Sequence, residues 1–60
     1  MKLYDVPRNT YILLDGHRFK FDHIDGMYSL CYDVNNKICH LAAWTEVKID
    51  PNQKELEYGY

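Results

Sequence analysis

The sequence predicts an all-β fold, a small antiparallel barrel of four to five short strands. Three observations predict it. Strand-forming runs recur along the chain as TYILLD, HRFKFDHI, MYSLCYDV, ICHLAAW and VKI. Residues that tolerate tight turns separate the first four: Asp15-Gly16, Asp25-Gly26 and Asn35-Asn36-Lys37. Only LAAWTEV collects reasonable helix formers, and it falls far short of the length at which a helix persists alone.

Each element has its own local reason. TYILLD is β-branched and apolar, and it stops at Asp-Gly, a strong short-range hairpin signal. HRFKFDHI alternates, with Phe19, Phe21 and His23 expected on one face and Arg18, Lys20 and Asp22 on the other. MYSLCYDV and ICHLAAW read as the arms of a hairpin closed at Asn35-Asn36. Trp44-Thr45-Glu46 is expected to form a short corner or a single 3₁₀ turn before the last strand, VKI. Asp50-Pro51 then terminates the strand, so residues 1–50 are read as one domain and 51–60 as a polar, loosely attached tail. The order of long strands, tight hairpin, short corner and short strand resembles the architecture of an SH3-like barrel.

Size and charge bound what such a domain can do. A chain of 60 residues buries only about 60% of its unfolded surface and is marginally stable without help. Six tyrosines, two phenylalanines and one tryptophan supply large apolar areas, more than so small a body can enclose, so exposed aromatic surface is expected. The formal net charge is −2, with acids and bases interspersed, which argues against strong nonspecific binding to phosphate backbones. No apolar run reaches the roughly 18 residues that cross a bilayer, and MKLYDVPRN lacks the apolar region of a secretion signal. Two cysteines in such a chain read as reduced thiols, and the expected location is cytoplasmic.

The stretch HIDGMYSLCYDVNNKICHLAAW, residues 23–44, concentrates the reactive side chains. Two hairpin registers are open. A two-residue Asn35-Asn36 loop sets Cys31 opposite His40. A three-residue Val34-Asn35-Asn36 loop, with Asn36 left-handed, sets Cys31 opposite Cys39 and Leu30 opposite His40. The second suits an asparagine at the last loop position and is preferred. It directs Met27, Cys31, Cys39, Leu41 and Ala43 to the interior and Tyr28, Leu30, Tyr32, Ile38, His40, Ala42 and Trp44 to the other face.

Other chemistries fit these residues less well. Zinc favours closely paired cysteines, whereas His23, Cys31, Cys39 and His40 contain no short cysteine pair, so no metal is expected. A Cys31–His40–Asp33 nucleophile needs a pocket and an oxyanion hole that a domain of this size hardly accommodates. A Cys31–Cys39 cross-strand disulfide is geometrically possible in the preferred register. His17, beside Gly16, is read as solvated, and His23 as a structural residue near the Asp25-Gly26 turn. Asp15, Asp22, Asp25 and Asp33 fall at strand ends and turns, where aspartate caps backbone N–H groups. No cofactor and no enzymatic activity are expected.

The sequence therefore favours a non-enzymatic protein-interaction module. Its candidate surface is Tyr28, Tyr32, Trp44 and Tyr11, with Arg18 and Lys20 at the rim, because tyrosine, tryptophan and arginine are enriched at binding hot spots. Homo-oligomerisation through the same patch or a free strand edge belongs to this reading. The alternative is a nucleic-acid-binding small β-barrel, with Arg8, Arg18, Lys20, Lys37 and Lys48 gathered around Tyr28 or Trp44. The acidic balance counts against that alternative.

DVPRNTYI, then F-x-HIDGMYSLC-x-D, then HLAAWTEV together resemble small proteins of tailed phages, especially T4-like phages of cyanobacteria. The resemblance covers about residues 4–49 and is most distinctive at His23–Ser29. It implies a viral protein made in a bacterial cytoplasm, one that binds a host or phage macromolecule. It carries over no catalytic or ligand-binding residue.

Overall fold

The computed structural model describes residues 1–54. They form one five-stranded antiparallel sheet and no α-helix. A single 3₁₀ turn, Leu3–Asp5, precedes β1 (Thr10–Leu14), β2 (His17–Asp25), β3 (Tyr28–Tyr32), β4 (Ile38–Cys39) and β5 (Lys48–Ile49). The strand order is β4-β3-β2-β1-β5. The two edge strands are not paired with each other, so the sheet is open, and closure into a barrel is not seen.

The hairpin turns follow from local backbone chemistry. Between β1 and β2, Asp15 and Gly16 both have positive φ, 50° and 79°, the pair of left-handed residues that a type I′ turn demands. The next turn sits one residue later than the sequence suggests. Asp25 still pairs with Tyr28, leaving Gly26 and Met27 as the loop, and only Gly26 (φ 64°) is left-handed. Met27 is thereby a loop residue and 66% exposed. That corrects its expected interior position: a turn displaced by one residue removes the first residue of a strand from the face it was assigned.

At the third hairpin the three-residue loop is the one formed. Asn36 is left-handed (φ 64°), and Cys31 pairs with Cys39 and Tyr32 with Ile38. The Asp33 carboxylate caps the loop, accepting from the N–H groups of Asn35 (2.8 Å) and Lys37 (2.9 Å). The same register runs past β4, through Ser29 N–H to Leu41 C=O (2.8 Å), a Tyr28–Ala42 bridge, and Ala43 N–H to Met27 C=O (2.9 Å). The expected corner is a turn at Ala42–Thr45, closed by Thr45 N–H donating to Ala42 C=O at 2.9 Å.

A bulge in β2 revises the second strand. Its register shifts between Phe21, opposite Cys31, and His23, opposite Leu30, so Asp22 is an extra residue with no partner of its own. Upstream, Phe19 and Phe21 face the core as the alternation predicts. Downstream, the phase inverts. His23, expected beside the two phenylalanines, shares the opposite face with Leu30, and Ile24 packs against the core instead.

The core lies on one side of the sheet. Ile12, Phe21 and Cys31, from three adjacent strands, are wholly buried, and Leu3, Val6 and Val47 cover them. The cover is held by backbone bonds between the first residues and the segment that leads to β5: Leu3 N–H to Thr45 C=O and Tyr4 N–H to Ala43 C=O, both 3.0 Å, and Val47 N–H to Met1 C=O at 2.8 Å. Ser29 is buried among these apolar groups and is satisfied, donating its hydroxyl to Leu41 C=O at 2.9 Å.

Candidate functional site

The face opposite the core is the candidate site, and strand pairing fixes its rows. Residues directly opposite in a ladder share a face. One row is Tyr11–Lys20–Tyr32–Ile38, running from β1 to β4. The next, beyond the bulge, places His23 beside Leu30. The row after that is Asp25–Tyr28–Ala42. Along β3 the face therefore presents Tyr28, Leu30 and Tyr32 in succession, about 6.8 Å apart.

The two halves of this face differ. On the β1 side the chain that leaves β5 folds back along the strand edge, where Arg18 of β2 reaches it. Asp50 N–H donates to Tyr11 C=O at 3.0 Å, and the Gln53 side chain takes the place of a strand residue: its carbonyl accepts from Tyr11 N–H (2.8 Å) and its amide donates to Tyr11 C=O (2.9 Å). The Arg18 guanidinium sits 3.9 Å from the centre of the Tyr11 ring, donates to the Asp50 carboxylate at 2.6 Å and reaches the carbonyls of Asn52 and Lys54. The Asn52 N–H and the Arg18 guanidinium both hold the Asp50 carboxyl below its ordinary value. The first residues after Pro51 are thus tied to β1; residues 55–60 of the expected tail lie outside the described residues.

Over β3 and β4 none of the described residues covers the face. Tyr28 is 54% exposed and Ile38 59%, with Leu30, Tyr32 and Ala42 half-buried between them. Trp44, in the turn that follows Ala42, is 53% exposed. Tyr4, 57% exposed, is hydrogen-bonded through its backbone to Ala43 and belongs to the turn that covers the core face. Exposed faces of antiparallel sheets are normally polar, which makes an apolar stripe on an uncovered face informative.

The residues singled out by sequence accordingly separate into groups. Tyr11, Lys20 and Tyr32 are brought into one row, with the Lys20 ammonium 5.8 Å from the Tyr11 ring centre. Tyr28 and Trp44 stand at the other end of the stripe. Arg18 lies on the predicted face, yet its charge is committed to Asp50 and the chain beyond. Leu30, Ile38, His40 and Ala42 lie on this face but outside the surface the sequence predicts. The period of two in Tyr28-x-Leu30-x-Tyr32 carries the signal for the first of these.

The alternative chemistries find no assembled centre. Cys31 points into the core and His40 belongs to the opposite face, with its Nδ1 3.2 Å from the carbonyl of Ser29, while Asp33 caps the loop. His23 lies 2.9 Å from the Asp22 carboxylate of the bulge, and His17 is exposed. Among the described residues no three His, Cys, Asp or Glu side chains gather as metal ligands. None of the helical turns there is long and apolar enough to cross a membrane.

No family model, curated protein or solved structure matches the chain.

Proposed function

We propose that the chain is a small non-enzymatic protein-interaction module whose partner seats on the bare half of the outer face: Tyr28, Leu30, Tyr32 and Ile38, with Trp44 at one end and Lys20 and Tyr11 at the other. A single observation carries the reading. The stripe is apolar along β3 and reaches Ile38 and Ala42 beyond it, with the exposed His40 between those two, and no other part of the described chain covers it. The partner is a protein chain, a host or phage macromolecule or a second copy of this one, met in the host cytoplasm as the phage resemblance implies. The strand order, with one continuous segment leading from edge strand β4 to edge strand β5, supports an SH3-like barrel as the architecture behind it.

A nucleic-acid partner has less support. The residue opposite Tyr28 is Asp25, and the Arg18 charge is taken by Asp50. Its best feature is Lys20, set between Tyr11 and Tyr32 where bases would stack.

The test uses the whole chain as bait in a bacterial lysate, beside a Tyr28→Ser/Tyr32→Ser variant with an unchanged melt. A protein retained by the wild type and lost by the variant supports the reading, and reconstitution with that purified protein should shift the Trp44 emission to the blue. Equal retention by both baits overturns it. Tight, salt-sensitive binding of single-stranded oligonucleotides would favour the alternative.

A further inference from the structure

Cys31 and Cys39 occupy directly opposed positions in the β3–β4 ladder, and both are free thiols. Cys31 is wholly buried, whereas Cys39 is half-buried at the sheet edge. The bonds that flank them, Ser29 N–H to Leu41 C=O and Asp33 N–H to Lys37 C=O, fall on alternate residues, which makes Cys31–Cys39 a hydrogen-bonded pair. Such pairs hold their Cα atoms about 5.5 Å apart, inside the range a disulfide spans. Their Cβ atoms stand about 4.5–5.5 Å apart, whereas a disulfide draws them to about 3.5–4.5 Å. Closure therefore pulls β4 toward β3, and a bond formed at that cost reopens readily.

We propose that Cys31 and Cys39 form a reversible dithiol–disulfide pair, a modification site that reacts with small disulfides of the oxidised-glutathione class. The Cys39 thiolate, the more accessible of the two, attacks one sulfur of the small disulfide. One small thiol leaves and a mixed disulfide remains on Cys39. The Cys31 thiolate then attacks the Cys39 sulfur and expels the second small thiol. Two protein thiols have been oxidised, one small disulfide has been reduced to two thiols, and the two protons pass to the departing thiolates.

The surroundings set the order of these steps. Ser29 donates its hydroxyl proton to Leu41 C=O, which leaves the Cys31 S–H to donate to the Ser29 oxygen at 3.3 Å. Burial pushes the Cys31 thiol above its ordinary value. Cys31 is therefore the resolving thiol and the slower one. The product is a covalent tie on an edge strand whose regular part is only two residues long, and β4 carries Ile38 of the exposed stripe. The proposal does not depend on what that stripe binds.

Incubation of the purified chain with oxidised glutathione, followed by alkylation and intact-mass measurement, tests it. The expected product has lost two hydrogens, resists alkylation, and is returned to the dithiol by reduced glutathione. Cys31→Ser should stop at a persistent glutathione adduct on Cys39. The proposal is overturned if the wild type accumulates only glutathione adducts, if both thiols stay alkylatable, or if reduced glutathione cannot reopen the bond. The wild-type time course decides these outcomes even where a variant fails to fold.

Discussion

Along β3 the two faces of this sheet are built from similar kinds of residue and meet opposite fates. One carries Ile12, Phe21 and Cys31; the other carries Leu30, Tyr28, Tyr32 and Ile38. On β3 the outer residues are at least as apolar as the inner Ser29 and Cys31, so patterning there does not name the interior, whereas on β2 Arg18 and Lys20 mark the outside. The decision is made from outside the sheet. Leu3 and Val6 in the first turn and Val47 before β5 have one face to cover, and the backbone bonds to Ala43, Thr45 and Val47 aim them at it. Among the described residues the opposite face receives only the short return of Asp50–Lys54 beside β1, held by Arg18. An apolar face becomes a core when something is tethered above it; without that cover it remains a surface.

The largest effect should come from breaking the covered face. Phe21→Ala removes a wholly buried ring at a cost of about 3–5 kcal/mol. A domain this small rarely holds more than about 3–5 kcal/mol in total, so circular dichroism and urea titration should find this variant largely unfolded at 25 °C. Leu41, half-buried against the core, sharpens the contrast. Leu41→Ala should cost about 2 kcal/mol, the low end for a core leucine, while Tyr32→Ala on the bare face should cost no more than about 1–1.5 kcal/mol, a lost cross-strand pair. If the two urea midpoints moved together, the faces would not be distinct.

Turn chemistry ranks next. Gly26 has a φ of 64° and open space around it, so Gly26→Ala meets no clash but must hold a left-handed backbone, at about 1–2 kcal/mol. Gly26→Asn should recover part of that loss. The smallest effect concerns the strap beside β1. The Asp50 carboxyl is held below its ordinary value of about 3.9 by the Asn52 N–H and Arg18. Its contribution is complete above the unfolded value and is lost as the pH falls through the lower folded one. Melting temperatures measured between neutral pH and pH 2 should decline on the acid side. Asp50→Asn should flatten that decline without altering the Tyr28–Tyr32 surface.

Much of this was legible in the residues. Asp15-Gly16 marks its hairpin because the type I′ turn needs left-handed residues, and Asn36 selects the three-residue loop for the same reason. That loop settled the register, which in turn sent Tyr28, Tyr32 and Ile38 outward. The misses share a cause. Met27 left the interior because its turn moved by one residue. His23 changed faces because a bulge at Asp22 has no local marker in an otherwise regular alternation. Arg18 reads as a free rim cation until Asp50, distant in sequence, is seen beside it. Each is a phase or a long-range pairing, and a local pattern specifies neither.

The bulge has a consequence for chain length. β2 is the one long strand with a residue to spare, since Phe21 and Asp22 together oppose only Cys31. A deletion of Asp22 would leave Phe21 on Cys31 and His23 on Leu30, a regular ladder with both hairpins still in phase. A deletion within β3 has no such slack, because that strand is in register with β2 on one side and β4 on the other. Shortening it by one residue must throw half its side chains through the sheet. Variation in length should therefore be tolerated at Asp22 and refused a few residues further on, from Tyr28 to Tyr32.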